Sequence, residues 1–221
     1  MSEPLAPASD IIAARLTHLF DAAADPLAID SHLAANGLQA NVERAQGVRV
    51  PGAFDEFELA VRAVLGQQVT VKGASTLMSR FTEAFGERIS TDDDRLTHLT
   101  ATADRVARAS VAEIREIGLP NARAATLHAL ATAVAIRNLS LESGEGVERF
   151  RSCLLELPGF GPWTADYIAM RVARWNDAFP ASDVALRHAL GDVTPSEIAR
   201  ISAQWKPWRA YAAMRLWLFG G

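Results

Sequence analysis

Apolar residues return every three or four positions along most of this chain, a spacing that predicts helices rather than strands. Ile12, Leu16, Leu19 and Phe20 share one face of a segment over Ile11–Ala24, with Ser9 as its N-cap. Asp25-Pro26 begins a short helix through Leu33. Asn36 to Pro51 carries Gly, Asn and Val without a helical period and reads as an extended connection. Phe54, Phe57, Val61, Val64 and Leu65 restore the period. Gly66-Gln67-Gln68 interrupts it, and a helix follows from about Val69 to Phe85. Further helices are predicted over Ala103–Ala109, Ser110–Ile117, Asn121–Ile136, Val147–Glu156, Trp163–Ala173, Asp183–Leu190 and Ser196–Ala203, and from about Trp208 to Phe219. Thr194 caps the Ser196 helix with Glu197 at the reciprocal position, and Leu139 to Gly146 is a polar loop. The fold class is all-α.

One break between helices carries more than punctuation. Leu157-Pro158-Gly159-Phe160-Gly161-Pro162-Trp163-Thr164-Ala165-Asp166-Tyr167 stops one helix and starts the next, a helix-hairpin-helix over about residues 147–173. Both glycines can take positive φ in a tight turn. They also leave backbone amides bare at the positive end of the second helix, where a phosphate can bind without any lysine. Taken alone, the same pattern is an ordinary helix connection with a terminal glycine. Asp183 precedes Val184-Ala185-Leu186 and is favoured as an anion at a helix N-terminus; taken alone it is an N-cap. Gly118-Leu119-Pro120 looks like a degenerate second hairpin, near Arg105, Arg108, Arg115 and Arg123, an arginine-rich face open to phosphate or to solvent.

Composition narrows the possibilities. The 221 residues suffice for a sizeable core, and with 22 basic against 26 acidic side chains the net charge is −4. That balance argues against a broad electrostatic clamp on nucleic acid, but not against a grip through amides and local arginines. The single cysteine, Cys153, excludes an internal disulfide and any four-cysteine iron–sulfur cluster. No signal peptide and no membrane-length apolar run stand out, so the chain is expected to be cytoplasmic and to involve no membrane. Asp92-Asp93-Asp94 reads as a solvated loop and helix start.

The hairpin together with Trp163, Asp183 and Trp205-Lys206-Pro207-Trp208-Arg209 resembles the helix-hairpin-helix, Gly/Pro-rich, aspartate superfamily of DNA glycosylases. It is most similar to the alkylation-repair branch, 3-methyladenine DNA glycosylase II. Val50-Pro51-Gly52, Phe54-Asp55-Glu56-Phe57-Glu58 and Arg62-Ala63-Val64-Leu65-Gly66-Gln67-Gln68-Val69 agree with it. The resemblance implies one domain over residues 1–221 in two helical lobes, about 54–145 and about 9–53 plus 146–221, with the DNA groove between them. The family's N-terminal β-rich domain is expected to be absent, because the segment before residue 54 is too short to hold it.

The resemblance also implies roles. Asp183 is the catalytic carboxylate, Trp163, Tyr167 and Trp217 face the extruded base, and Gly159, Gly161 and Thr164 meet a DNA phosphate. Gln68 stands where the family places an apolar wedge, and reads equally as a loop glutamine bonded to backbone. The carbonyls of Leu155, Leu157 and Phe160 match a site for Na+ or K+; no other cofactor is required. The lyase nucleophile of relatives is a lysine where Trp163 stands here, and the chain holds only Lys72 and Lys206. The implied activity is therefore a monofunctional glycosylase. As a monomer it would hydrolyse the N-glycosidic bond of alkylated purines such as 3-methyladenine and 7-methylguanine in double-stranded DNA. A glycosylase for deaminated or ethenoadducted bases, or a non-catalytic damage-binding module, are the alternatives.

Overall fold

The computed structural model describes residues 3–137, 139 and 146–220. The polar loop expected over Leu139–Gly146 therefore lies largely outside the described residues. The chain forms two compact units, one of residues 1–54 and 169–221 and the other of residues 55–168. The hairpin up to Ile168 belongs with the residue 55–168 unit, whereas the resemblance implies a boundary at about residue 146.

The first unit begins with a 3-10 turn over Glu3–Ala8, then α1 (Ser9–Leu19), α2 (Pro26–Leu33) and α3 (Gln39–Arg44). Ser9 is the first residue of α1 rather than its cap. Asp25 caps α2 by accepting from the amides of Leu27 (3.1 Å) and Ala28 (3.2 Å). The extended connection expected after Asn36 is instead helical as far as Arg44. Gly37, at φ +93°, interrupts the helix without ending it, and Leu38 and Val42, one turn apart, are buried. The glycine hid the period.

The second unit holds α4 (Glu56–Leu65), α5 (Val71–Phe85), α6 (Ala103–Ala107), α7 (Val111–Arg115), α8 (Asn121–Ala135) and α9 (Val147–Glu156). It also holds most of α10 (Pro162–Arg171). Asp55, Thr70, Thr102 and Ser110 cap the first four of these helices with their side chains. Ala60, Val61, Val64, Leu65, Phe81, Ile114, Leu127, Leu130 and Leu154 are buried and form the core here. No helix starts at Asp92-Asp93-Asp94; that stretch is a turn in which Arg95 pairs with Asp93. Around it the chain doubles back in one antiparallel bridge between Arg88 and His98, the only β-pairing among the described residues.

Returning to the first unit, α11 (Val184–Ala189), α12 (Pro195–Ala203) and α13 (Arg209–Phe219) follow. Thr194 and Glu197 form the expected capping box. The core of this unit is held by buried polar ties as well as apolar contact. Arg215 on α13 is fully buried, pairs with Asp30 of α2, and donates to the carbonyls of Ala45 (2.6 Å) and Asn41 (3.2 Å). Tyr211, one turn earlier, donates to Asp21 at 2.8 Å. The resembling stretch Trp205–Arg209 works as framework. Trp205 is buried with its indole nitrogen donating to the Asn36 carbonyl at 3.0 Å, and Arg209 grips Asp177 with two hydrogen bonds of 2.7 and 2.8 Å.

Candidate functional site

The hairpin between α9 and α10 is built as its glycines suggest, though only one of them needs to be glycine for its backbone. Gly159 sits at φ +81°, and a Cβ there would lie 1.9 Å from Thr126 Oγ1 on α8. Gly161 is outside the left-handed region, and a Cβ on it would meet nothing within 4 Å. The expectation of positive φ at both therefore holds for Gly159 alone. The turn closes through Phe160 N–H donating to the Leu157 carbonyl at 3.2 Å, and the Gly161 carbonyl accepts from Ala165 N–H at 3.1 Å to start α10. Arg151 of α9 pairs with the buried Asp166 of α10, which ties the two helices together and raises the Arg151 pKa above its usual value. Asp166 is thus structural.

Thr164 is buried at 4% exposure, and its Oγ1 accepts from Gln67 Nε2 at 3.0 Å. Gln67 Nε2 also donates to the Gly159 carbonyl at 3.4 Å. Gln67 itself was not singled out from the sequence; its role depends on contacts across 92 and 97 positions, which no local pattern announces. Its neighbour Gln68 is exposed, with φ +55°.

Trp163 and Tyr167, four residues apart on α10, stack with ring centroids 5.2 Å apart and planes within 8°. Both are half-buried, so the stacked pair keeps part of its aromatic surface exposed.

In the first unit Asp183 is the N-cap of α11, its Oδ1 accepting from Leu186 N–H at 2.9 Å. The same oxygen accepts from Trp217 Nε1 of α13 at 3.1 Å. Asp183 and Trp217 are both half-buried. Beyond them, His188 and Arg187 pair with Asp192, at 2.6 and 3.7 Å. Asp192 is the partner for His188 that the sequence did not reveal. The structure therefore brings Asp183 together with Trp217, Trp163 with Tyr167, and Thr164 with Gly159 through Gln67.

Among the described residues no group of three or more His, Cys, Asp or Glu could hold a metal ion, and no helix is long and apolar enough to cross a membrane. The carbonyls of Leu155, Leu157 and Phe160 lie at the hairpin turn, that of Leu157 already accepting from Phe160. Neutral backbone oxygens of this kind suit a hard monovalent cation.

Comparison with known proteins agrees with this geometry. Residues 61–203 match the model described as HhH-GPD superfamily base excision DNA repair protein. Residues 1–55, which include α1 to α3, match that of the AlkA N-terminal domain. The chain is 42% identical over 209 residues to a Mycobacterium tuberculosis protein named "Probable bifunctional transcriptional activator/DNA repair enzyme AlkA", covering 92% of this chain and 42% of that one. It thus spans about two fifths of the length of that relative. It is 34% identical over 221 residues to DNA-3-methyladenine glycosylase 2 of Escherichia coli, covering all of this chain and 76% of the relative. The solved structure of a 3-methyladenine DNA-glycosylase from Archaeoglobus fulgidus superposes with a TM-score of 0.78 at 19% identity, over 100% of this chain and 76% of that one.

Proposed function

Because the chain belongs to the helix-hairpin-helix superfamily of base excision DNA repair proteins, we propose that it is a monofunctional DNA glycosylase that removes alkylated purines from double-stranded DNA. The observation that carries this reading is Asp183, a carboxylate fixed by a helix N-terminus on one side and by an indole N–H on the other.

Excision requires the base to leave the stack. In this reading the hairpin grips the backbone: the amides of Gly161, just before α10, and of Thr164, in its first turn, meet a phosphate, since a helix has no partner of its own for the donors at its start. Gly161 leaves the approach open. A monovalent cation on the carbonyls of Leu155, Leu157 and Phe160 would add positive charge beside that phosphate. Gln68, exposed on its loop, fills the gap left by the base. The Thr164 hydroxyl accepts from Gln67 and keeps its own hydrogen to donate.

As the bond between base and deoxyribose breaks, positive charge builds on the sugar. The Asp183 carboxylate stabilises that charge and orients the water that attacks C1′. The water gives one proton to solvent and the base departs with the bonding electrons. A purine methylated at N3 or N7 carries positive charge before it leaves, so it needs little acid assistance. The faces of Trp163, Tyr167 and Trp217 attract a flat cation by about 0.5–2 kcal/mol per contact. Trp163 occupies the position of the lyase nucleophile, and Lys72 and Lys206 are the only lysines in the chain, so the product is an intact abasic strand. The reading takes the protein as a cytoplasmic monomer.

The test is release of 3-methyladenine and 7-methylguanine from methylated duplex DNA by the unmodified protein and by Asp183→Asn. Release that disappears in the variant, with DNA binding retained, is the expected result. DNA binding without release from the unmodified protein would overturn the methylpurine reading and point to another lesion or to a binding module.

A further inference from the structure

We propose that Gln67 is the positioning residue that couples the base-displacing loop to the backbone-gripping hairpin, so that Gln68 enters the duplex from a hairpin already seated on its phosphate. The proposal rests on the glycosylase reading above for the roles of the two parts. Its own support is the geometry between them.

Gln68 holds φ +55°, a conformation that costs a residue with a side chain about 1–2 kcal/mol and persists only where its surroundings impose it. The loop is imposed on at three places. On one side, Gly66 N–H donates to the Arg62 carbonyl (2.9 Å) and Gln67 N–H to that of Val64 (3.3 Å), finishing α4. On the other, Thr70 Oγ1 accepts from Gly73 N–H at 3.1 Å and starts α5. Between them, the Gln67 amide reaches out of the loop to Thr164 Oγ1 and the Gly159 carbonyl.

The chemistry of that third tie selects glutamine. One NH2 group carries two hydrogens and serves two acceptors at once. Glutamate has the length but no donor, and asparagine is one methylene short. The acceptors are themselves immobile: Thr164 is buried, and Gly159 lies so close to Thr126 that no side chain fits. The turn that contributes the phosphate-facing amides thus also contributes the anchor for the loop that presents Gln68.

The experiment uses a duplex with 2-aminopurine opposite a tetrahydrofuran abasic analogue, in which fluorescence reports insertion into the stack and anisotropy reports binding. Gln67→Leu is expected to keep binding within about twofold and to lose about three- to tenfold of the insertion signal, the worth of a hydrogen bond. Thr164→Val should reproduce the loss, Thr164→Ser should restore the signal, and Gln67→Leu with Thr164→Val together should be no worse than either alone. Gln67→Glu keeps the side chain's size and serves as second variant should Gln67→Leu melt early. An undiminished signal in Gln67→Leu, additive losses in the double variant, or no signal from unmodified protein that binds the duplex would overturn the proposal. Failure of the unmodified protein to release methylpurines counts against the excision reading and leaves this comparison untouched.

Discussion

The indole nitrogen of Trp217 donates to Oδ1 of Asp183 at 3.1 Å, so a candidate base-facing aromatic and the candidate catalytic carboxylate are one hydrogen-bonded pair. Trp217→Phe keeps an aromatic face and removes the donor. Base release in single turnover is expected to fall about tenfold or more, since a hydrogen bond to a charged acceptor contributes about 1.5–3 kcal/mol. Unchanged release would show that Leu186 N–H alone suffices to place the carboxylate.

The two hairpin glycines should respond differently to the same substitution. Gly159→Ala forces a methyl group against Thr126 at positive φ and is expected to cost about 1–3 kcal/mol, read as a lowered Tm. Gly161→Ala meets nothing within 4 Å and should leave Tm close to that of the unmodified protein, while DNA affinity falls because the methyl group narrows the approach to the phosphate.

Arg215 is a charge shut away from solvent and balanced by Asp30. Arg215→Met alone leaves the Asp30 carboxylate without its buried partner and should cost about 3–5 kcal/mol in urea unfolding. Adding Asp30→Asn, which still offers an oxygen to Gly47 N–H, should recover much of the loss.

Burial, and then the hydrogen bond to Asp21, push the Tyr211 hydroxyl above its usual pKa of 10.0. A raised folded-state value means that the neutral phenol's contribution is complete below about pH 10 and is lost as pH rises further. Stability should therefore decline more steeply above about pH 10 in the unmodified protein than in Tyr211→Phe, which lacks the titrating group. Parallel alkaline limbs in urea titrations of the two proteins would contradict this.

Most of the helices were legible because each carries its own apolar stripe, and the caps at Asp25, Asp183 and Thr194 stand beside the helices they serve. The features that local pattern does not announce share a cause. Continuation of the helix past Gly37, the tie from Gln67 to the hairpin, the indole on Asp183 and the Asp30–Arg215 pair all depend on contact or context beyond a single turn. Gly161 differs for the opposite reason: the Gly-x-Gly spelling suggests two positions of positive φ, and the backbone needs one.

The first unit is made from both ends of the chain, residues 1–54 and 169–221. During synthesis its opening helices emerge long before α13, which carries the Arg215 and Tyr211 that tie to Asp30 and Asp21. Residues 55–168 are complete by then and can fold as a body while the opening segment waits. Trp217 follows residues 55–168 along the chain, so the pair it makes with Asp183 forms only after that unit has emerged. A nascent chain can thus acquire the hairpin well before it acquires the Asp183 carboxylate in its final setting beside Trp217.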